Sequence, residues 1–265
     1  MESVLNLARR ARIAGLSEDF QLGHQTLDEA AGLLSHDGEK ASAWIAIERG
    51  RLHNTAGDPK AALPFFLDAW KIARANADHN LAVDAAHMLA IASELAEAEL
   101  WTLTALDYIA ANGVSHGWTA MLHYNLGWTY YESGLYDQAL ICFRKDEKFQ
   151  SVYGDSQTLK ISRYAVVKTL RAMHNLNEAI TLGRRVVEDA ETAGDKAPFV
   201  CEELAECYAT VGDYDMAAEF AARAYEVLSG NPVFVRDESE RLAKLATLRR
   251  FIQPLDHCCL LPPAS

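Results

Sequence analysis

The chain has 265 residues, half of them apolar, and sets 25 Lys and Arg against 37 Asp and Glu for a formal net charge of −12. That apolar share is ample for a folded core and excludes a disordered chain, and no apolar run approaches the roughly 18 residues a bilayer demands. The acidic balance argues against general binding to nucleic acid or anionic membranes, which needs Lys and Arg to neutralise phosphates.

The first segment, MESVLNLARRARIAGL, holds Arg9, Arg10 and Arg12 with no apolar run or cleavage site behind them. It reads as a first helix rather than a secretory leader. Leu7, Ala11 and Ala14, then Phe20, Leu27 and Ala30, mark two helical halves. From Ala43 the pattern sharpens, with Gly50, Gly57, Ala62 and Phe66. A degenerate copy starts at Ala82, with Met88, Leu89 and Ala92 on its first half and Ala105 and Tyr108 on its second. The clearest copy starts at Ala120 and carries Leu126, Gly127, Tyr130, Gly134, Tyr136, Ala139 and Phe143. Another from Lys160 has Val166, Leu170, Leu176 and Ala179. The last starts at Pro198 and has Leu204, Tyr208, Gly212, Tyr214 and Ala217.

The anchor alanines Ala62, Ala139, Ala179 and Ala217 lie 77, 40 and 38 residues apart, the first interval being a double one. About six copies of 38 to 40 residues result. In each half, apolar residues recur at helical spacing. Breaks such as Gly57-Asp58-Pro59, Gly134-Leu135-Tyr136 and Gly212-Asp213-Tyr214 separate the halves, and Gly and Asp suit helix ends. The chain is therefore expected to be all-α. Gly50, Gly127 and Ala205 stand where helices must approach closely, with large residues such as Phe143 filling the space beside them. After Pro232 the pattern changes: Asp237 to Ile252 reads as an amphipathic capping helix, and a loose tail follows Pro254. The expected organisation is a repeat domain over 1–230, a capping helix over 231–253 and a tail over 254–265.

The series of small residue, Tyr, Gly, Tyr, Ala and Phe, best seen in Leu126-Gly127, Tyr130, Ala139 and Phe143, resembles the tetratricopeptide repeat over roughly residues 4–230. That resemblance implies a right-handed superhelical solenoid of about six helix pairs closed by a C-terminal capping helix. The period exceeds the usual length of about 34 residues. It resembles the longer-repeat branch found in bacterial peptide-sensing regulators and kinesin light chains. The second copy departs most, because Trp101 stands where a small residue is expected.

No phosphate loop, HExxH, GxSxG, dinucleotide glycine series or calcium loop occurs. No catalytic residue, metal site or cofactor is expected. His257-Cys258-Cys259 lacks the second ligand pair that a tetrahedral zinc site needs. Five scattered cysteines are not a disulfide framework and fit a cytoplasmic setting.

The resemblance implies that the first helix of each pair lines the inner surface. Register then places Arg51, His87, Tyr124, Asn125, Trp128, Tyr131, Tyr164, Lys168 and Arg171 there as candidate ligand-binding residues. Tyr124, Trp128, Tyr131 and Tyr164 concentrate aromatic surface of the kind that anchors binding hot spots. Asn125 suits a peptide backbone; Arg51, Lys168 and Arg171 suit a carboxylate. Trp128 and Tyr131 fit core packing and groove exposure equally well. Chaperone-tail capture is disfavoured, since its places hold Ile47, Arg51, His87, Met121 and Asn125, or Ala86, Ala90, Asn125, Ile161 and Ala165. The leading expectation is a non-catalytic adaptor for a protein or peptide, without nucleic-acid or membrane contact. A peptide-sensing module, an enzyme or small-molecule binder using the same groove, and self-association stay open.

Overall fold

The computed structural model describes residues 2–34, 38–115 and 117–252. The expected tail, with His257-Cys258-Cys259, lies outside them. Among the described residues there are fourteen α-helices and no strand. The first twelve form six consecutive pairs: α1 (Glu2–Leu16) with α2 (Phe20–Gly32), α3 (Glu39–Thr55) with α4 (Pro59–Ala75), and α5 (His79–Ala92) with α6 (Leu95–Asn112). Then come α7 (Gly117–Glu132) with α8 (Tyr136–Tyr153), α9 (Ser156–Ala172) with α10 (Leu176–Thr192), and α11 (Pro198–Val211) with α12 (Tyr214–Leu228).

Helix starts are set by aspartate. Asp19, Asp58, Asp78, Asp155 and Asp213 each accept a hydrogen bond from a backbone N–H three residues on, at 2.7 to 3.4 Å. This satisfies a donor that the first turn would otherwise leave open. The turns between helices need a left-handed residue. Gly57, Gly134 and Gly212 supply it within pairs, whereas His174 within a pair and Ala77 between two pairs adopt φ of 58° and 52°.

The fourth residue of every second helix is small and buried: Gly23, Ala62, Ala98, Ala139, Ala179 and Ala217. The anchor of the third pair is therefore Ala98, three residues before Trp101, the place where the repeat register expected a small residue. The turn into α6 runs through Ser93 and Glu94, without the Gly-Asp break found elsewhere. Trp101 is rotated away from the anchor position and packs edge-on against Trp70 of α4, with ring centroids 5.9 Å apart. Glycine at the closest helix contacts is equally demanded by packing. A Cβ built on Gly127 would stand 2.6 Å from Cε1 of Phe143, and Gly50 faces Phe66 in the same way.

The chain divides within α8 into two compact units, Met1–Asp146 and Glu147–Ser265. In the first, one apolar cluster gathers Val4, Leu7, Leu27 and Leu52, and a second gathers Ile47, Phe66, Trp70, Leu81 and Leu122. In the second unit, Val186, Leu204, Phe220, Leu228, Phe234 and Leu245 form a single cluster. The C-terminal part differs from the single helix expected over Asp237–Ile252. Asn231 caps a short α13 (Pro232–Asp237) through the N–H groups of Val233 and Phe234. α14 (Ser239–Leu248) and a 3₁₀ turn (Arg249–Ile252) follow, both packed on α12. No helix among the described residues is long and apolar enough to cross a membrane.

Candidate functional site

In the first unit α1 packs on α3, α3 on α5 and α5 on α7, so first helices adjoin one another. Residues three and four apart share one face of a helix. Arg9 and Arg12 of α1 and Trp44, Glu48 and Arg51 of α3 thus wall a cavity of about 390 Å³. Asp84, His87 and Met88 of α5, with Trp118 and Met121 of α7, complete its lining.

Charge organises the floor of this cavity. Arg51 donates to Glu48 at 2.5 Å and to both oxygens of Asp84 at 2.6 and 2.7 Å. Arg12 stands 3.5 Å from Glu48. Glu48 is only 3% exposed, and burial pushes its carboxyl above the ordinary range against the pull of Arg51 and Arg12. Its Oε2 has no hydrogen-bond partner. His87 is 7% exposed, and Trp118 lies edge-on to it with centroids 5.7 Å apart. Burial lowers the imidazole to about 4; Asp84 opposes that shift and Arg51 adds to it. The ring is neutral at pH 7. Its Nε2 meets the side-chain amide of Asn125, and its Nδ1 is unpartnered.

Next to this floor, α7 carries a run of half-buried rings. Trp128 lies 6.0 Å from Tyr124, 5.5 Å from Tyr131 and 5.0 Å from Phe143, all edge-on. Tyr131 leans on Tyr136 at 5.2 Å. Edge-to-face pairs of this kind hold the rings in fixed orientations. Burial pushes the Tyr124 hydroxyl up, while its hydrogen bond with Trp128 pulls the other way.

In the second unit the face of first helices is charge-matched within itself. Lys168 and Arg171 of α9 reach the buried Glu203 of α11 at 3.0 and 2.5 Å, and Arg171 also meets Glu206 at 2.8 Å. From the other side Arg241 of α14 holds Glu202 with two bonds of 2.8 and 2.6 Å, and Lys244 reaches Glu206 at 2.8 Å. Tyr164 lies under the Lys168 ammonium at 5.8 Å and beside Phe199 at 6.0 Å.

Arg51 and His87 thus share one cavity, Asn125 joins it through His87, and Tyr124, Trp128 and Tyr131 continue along α7. Tyr164, Lys168 and Arg171 form a separate set in the second unit. Asp84, Arg12 and Trp118 were not foreseen as site residues. A signal for Asp84 existed, because it stands one helical turn before His87 on the same helix. Among the described residues no group of three or more His, Cys, Asp and Glu side chains is placed to hold a metal ion.

A family model described as tetratricopeptide repeat matches residues 122–145, from the body of α7 into α8. That segment is similar to a tetratricopeptide repeat. No curated protein sequence matches it. Solved tetratricopeptide structures share its fold at low identity. A signal transduction ATPase with numerous domains and a tetratricopeptide repeat sensor, from Pyrococcus horikoshii, aligns over 90% of this chain at 14% identity with a TM-score of 0.71. The chain spans 38% of that protein's length. RapI in its apo form aligns over 94% of this chain and 96% of its own, at 15% identity and a TM-score of 0.68. NprR in complex with its cognate peptide NprX aligns over 94% of this chain and 73% of its own, at 13% identity and a TM-score of 0.57.

Proposed function

We propose that the chain is a non-catalytic recognition module that binds an extended peptide or protein segment on the face formed by its first helices. The observation that carries this reading is the cavity of about 390 Å³ shared by α1, α3, α5 and α7. Four successive helices contribute to it, so a ligand lying across them meets a new set of side chains at each step. Its indoles and methionines supply apolar area, and its buried polar groups supply orientation, the usual division of labour in a binding site. Trp128, Tyr124 and Tyr131 extend the surface along α7. Tyr164, Lys168 and Arg171 offer a corresponding face in the second unit. The fold likeness to NprR, solved with a peptide, supports the same assignment. The free, buried Cys142, Cys201 and Cys207 fit a reducing cytoplasm.

Photo-crosslinking tests the reading. A benzophenone-bearing phenylalanine in place of the exposed Met121 on α7 should give a discrete adduct in native extract. The same group in place of the exposed Leu103 on α6 should not. Equal labelling from both positions, or none from Met121, would remove the groove as the binding surface.

A further inference from the structure

Resting on that reading, the geometry points to an acidic ligand: the cavity walled by α1, α3, α5 and α7 takes a peptide segment in which an Asp or Glu stands beside an aromatic or large aliphatic residue. Three observations support this choice.

The first is the local charge. Arg9, Arg12 and Arg51 line the cavity against only Glu48 and Asp84, in a chain whose formal net charge is −12. Both carboxylates are already committed to Arg51. Arg12 is about half exposed, and its one ion pair among the described residues is the 3.5 Å contact with Glu48. Arg9 is exposed and has no ion pair among the described residues. The cavity mouth therefore presents two guanidinium groups with unused donors, and guanidinium pairs with carboxylate in a planar, two-bond geometry.

The second is a buried donor with no acceptor. The amide of Asn125 donates to Nε2 of His87, which leaves the proton of the neutral ring on Nδ1. That N–H is enclosed in a residue only 7% exposed, and it has no partner. A buried unsatisfied donor is costly, and a ligand oxygen would answer it. The third is the apolar wall. Trp44, Met88, Trp118 and Met121 line the same space and leave room for a large side chain beside the acid. A basic ligand would instead meet Arg9 and Arg12, and the one cavity carboxylate oxygen without a hydrogen bond, Oε2 of Glu48, belongs to a carboxylate already paired with Arg51 and Arg12.

The test uses the whole chain and three fluorescein-labelled heptapeptides, alternating Glu with Phe, Gln with Phe, and Lys with Phe. Fluorescence anisotropy should show the Glu peptide binding at least tenfold more tightly than the Gln peptide, with affinity falling as salt rises. Arg9→Gln/Arg12→Gln removes two exposed side chains and should cost that peptide at least tenfold while leaving the circular dichroism spectrum unchanged. Equal affinity for the Glu and Gln peptides, tighter binding of the Lys peptide, or a double variant that binds the Glu peptide like the parent would each overturn the acidic assignment. In those cases a Met121 crosslink would still uphold the peptide-binding reading. If none of the three peptides binds, the acidic assignment falls, and absence of the Met121 adduct would take the wider reading with it.

Discussion

Arg51 on α3 holds both oxygens of Asp84 on α5, at 2.6 and 2.7 Å, while its other terminal nitrogen meets Glu48 at 2.5 Å. One guanidinium thus neutralises two carboxylates and ties two successive first helices together. Burial lowers its hold on the proton, but the paired acids more than compensate and keep it charged.

Removing that cation should therefore cost more than removing an ordinary surface charge. Arg51→Ala leaves Glu48, 3% exposed, with only the half-exposed Arg12, 3.5 Å away, to pair with. Breaking a buried pair from one side costs about 3–5 kcal/mol. Urea denaturation should show a loss of that order. Glu48→Gln added to Arg51→Ala should recover part of it. A loss below about 1 kcal/mol would mean that solvent already screens the cluster.

Gly127 makes a prediction of the opposite kind. Its hydrogen lies where a methyl group would press on the Phe143 ring at 2.6 and 2.8 Å. Gly127→Ala should destabilise by about 1–3 kcal/mol despite the better helix propensity of alanine. Adding Phe143→Leu should make the Gly127→Ala step cheaper. Thermal unfolding of the four proteins in the cycle would measure the coupling.

His174 offers a gain. It is exposed at the turn between α9 and α10 and adopts φ of 58°. A left-handed residue costs about 1–2 kcal/mol unless it is glycine, and glycine loses roughly 0.5–1 kcal/mol of that advantage to backbone entropy. His174→Gly should raise stability by about 0.5–1 kcal/mol, read as a higher urea midpoint. An unchanged or lower midpoint would show that the imidazole makes up the difference.

Stability should also fall with acid in a defined window. His87 and His123 are both pushed to about 4 from an ordinary 6.5, chiefly by burial, with Lys145 adding to the shift at His123. The unfolded chain binds protons that the folded chain refuses between those values. Folding therefore weakens as pH drops from about 6.5 towards 4. Urea midpoints at pH 7.5 and 5 would measure this. The difference should shrink in a His87→Gln/His123→Gln double variant. A midpoint that did not fall on acidification would contradict the burial of these rings in neutral form.

Much of the fold was legible because punctuation is local. Gly-Asp breaks and aspartate caps act within a few residues, so the paired helices follow from them. The exception explains itself: the α5–α6 turn has Ser93-Glu94 in place of a Gly-Asp break, and the register put the small residue at Trp101, three residues beyond Ala98. The candidate site was less legible. Register could place Arg51, His87 and Asn125 on first helices. It could not show that Asn125 meets His87 or that Asp84 occupies Arg51. Those contacts depend on how far each helix is rotated against its neighbour.

One consequence of the ion pairs reaches beyond stability. The cation of one first helix answers an acid on the next: Arg12 to Glu48, Arg51 to Asp84, and Lys168 and Arg171 to Glu203. Such links are addressed, as hydrophobic contacts are not. Shuffling, deleting or duplicating a helix pair would set like charges face to face or strand an acid in the interior. The pairs therefore encode their own order along the chain, and interchangeable modules cut from this protein should assemble only in the native succession.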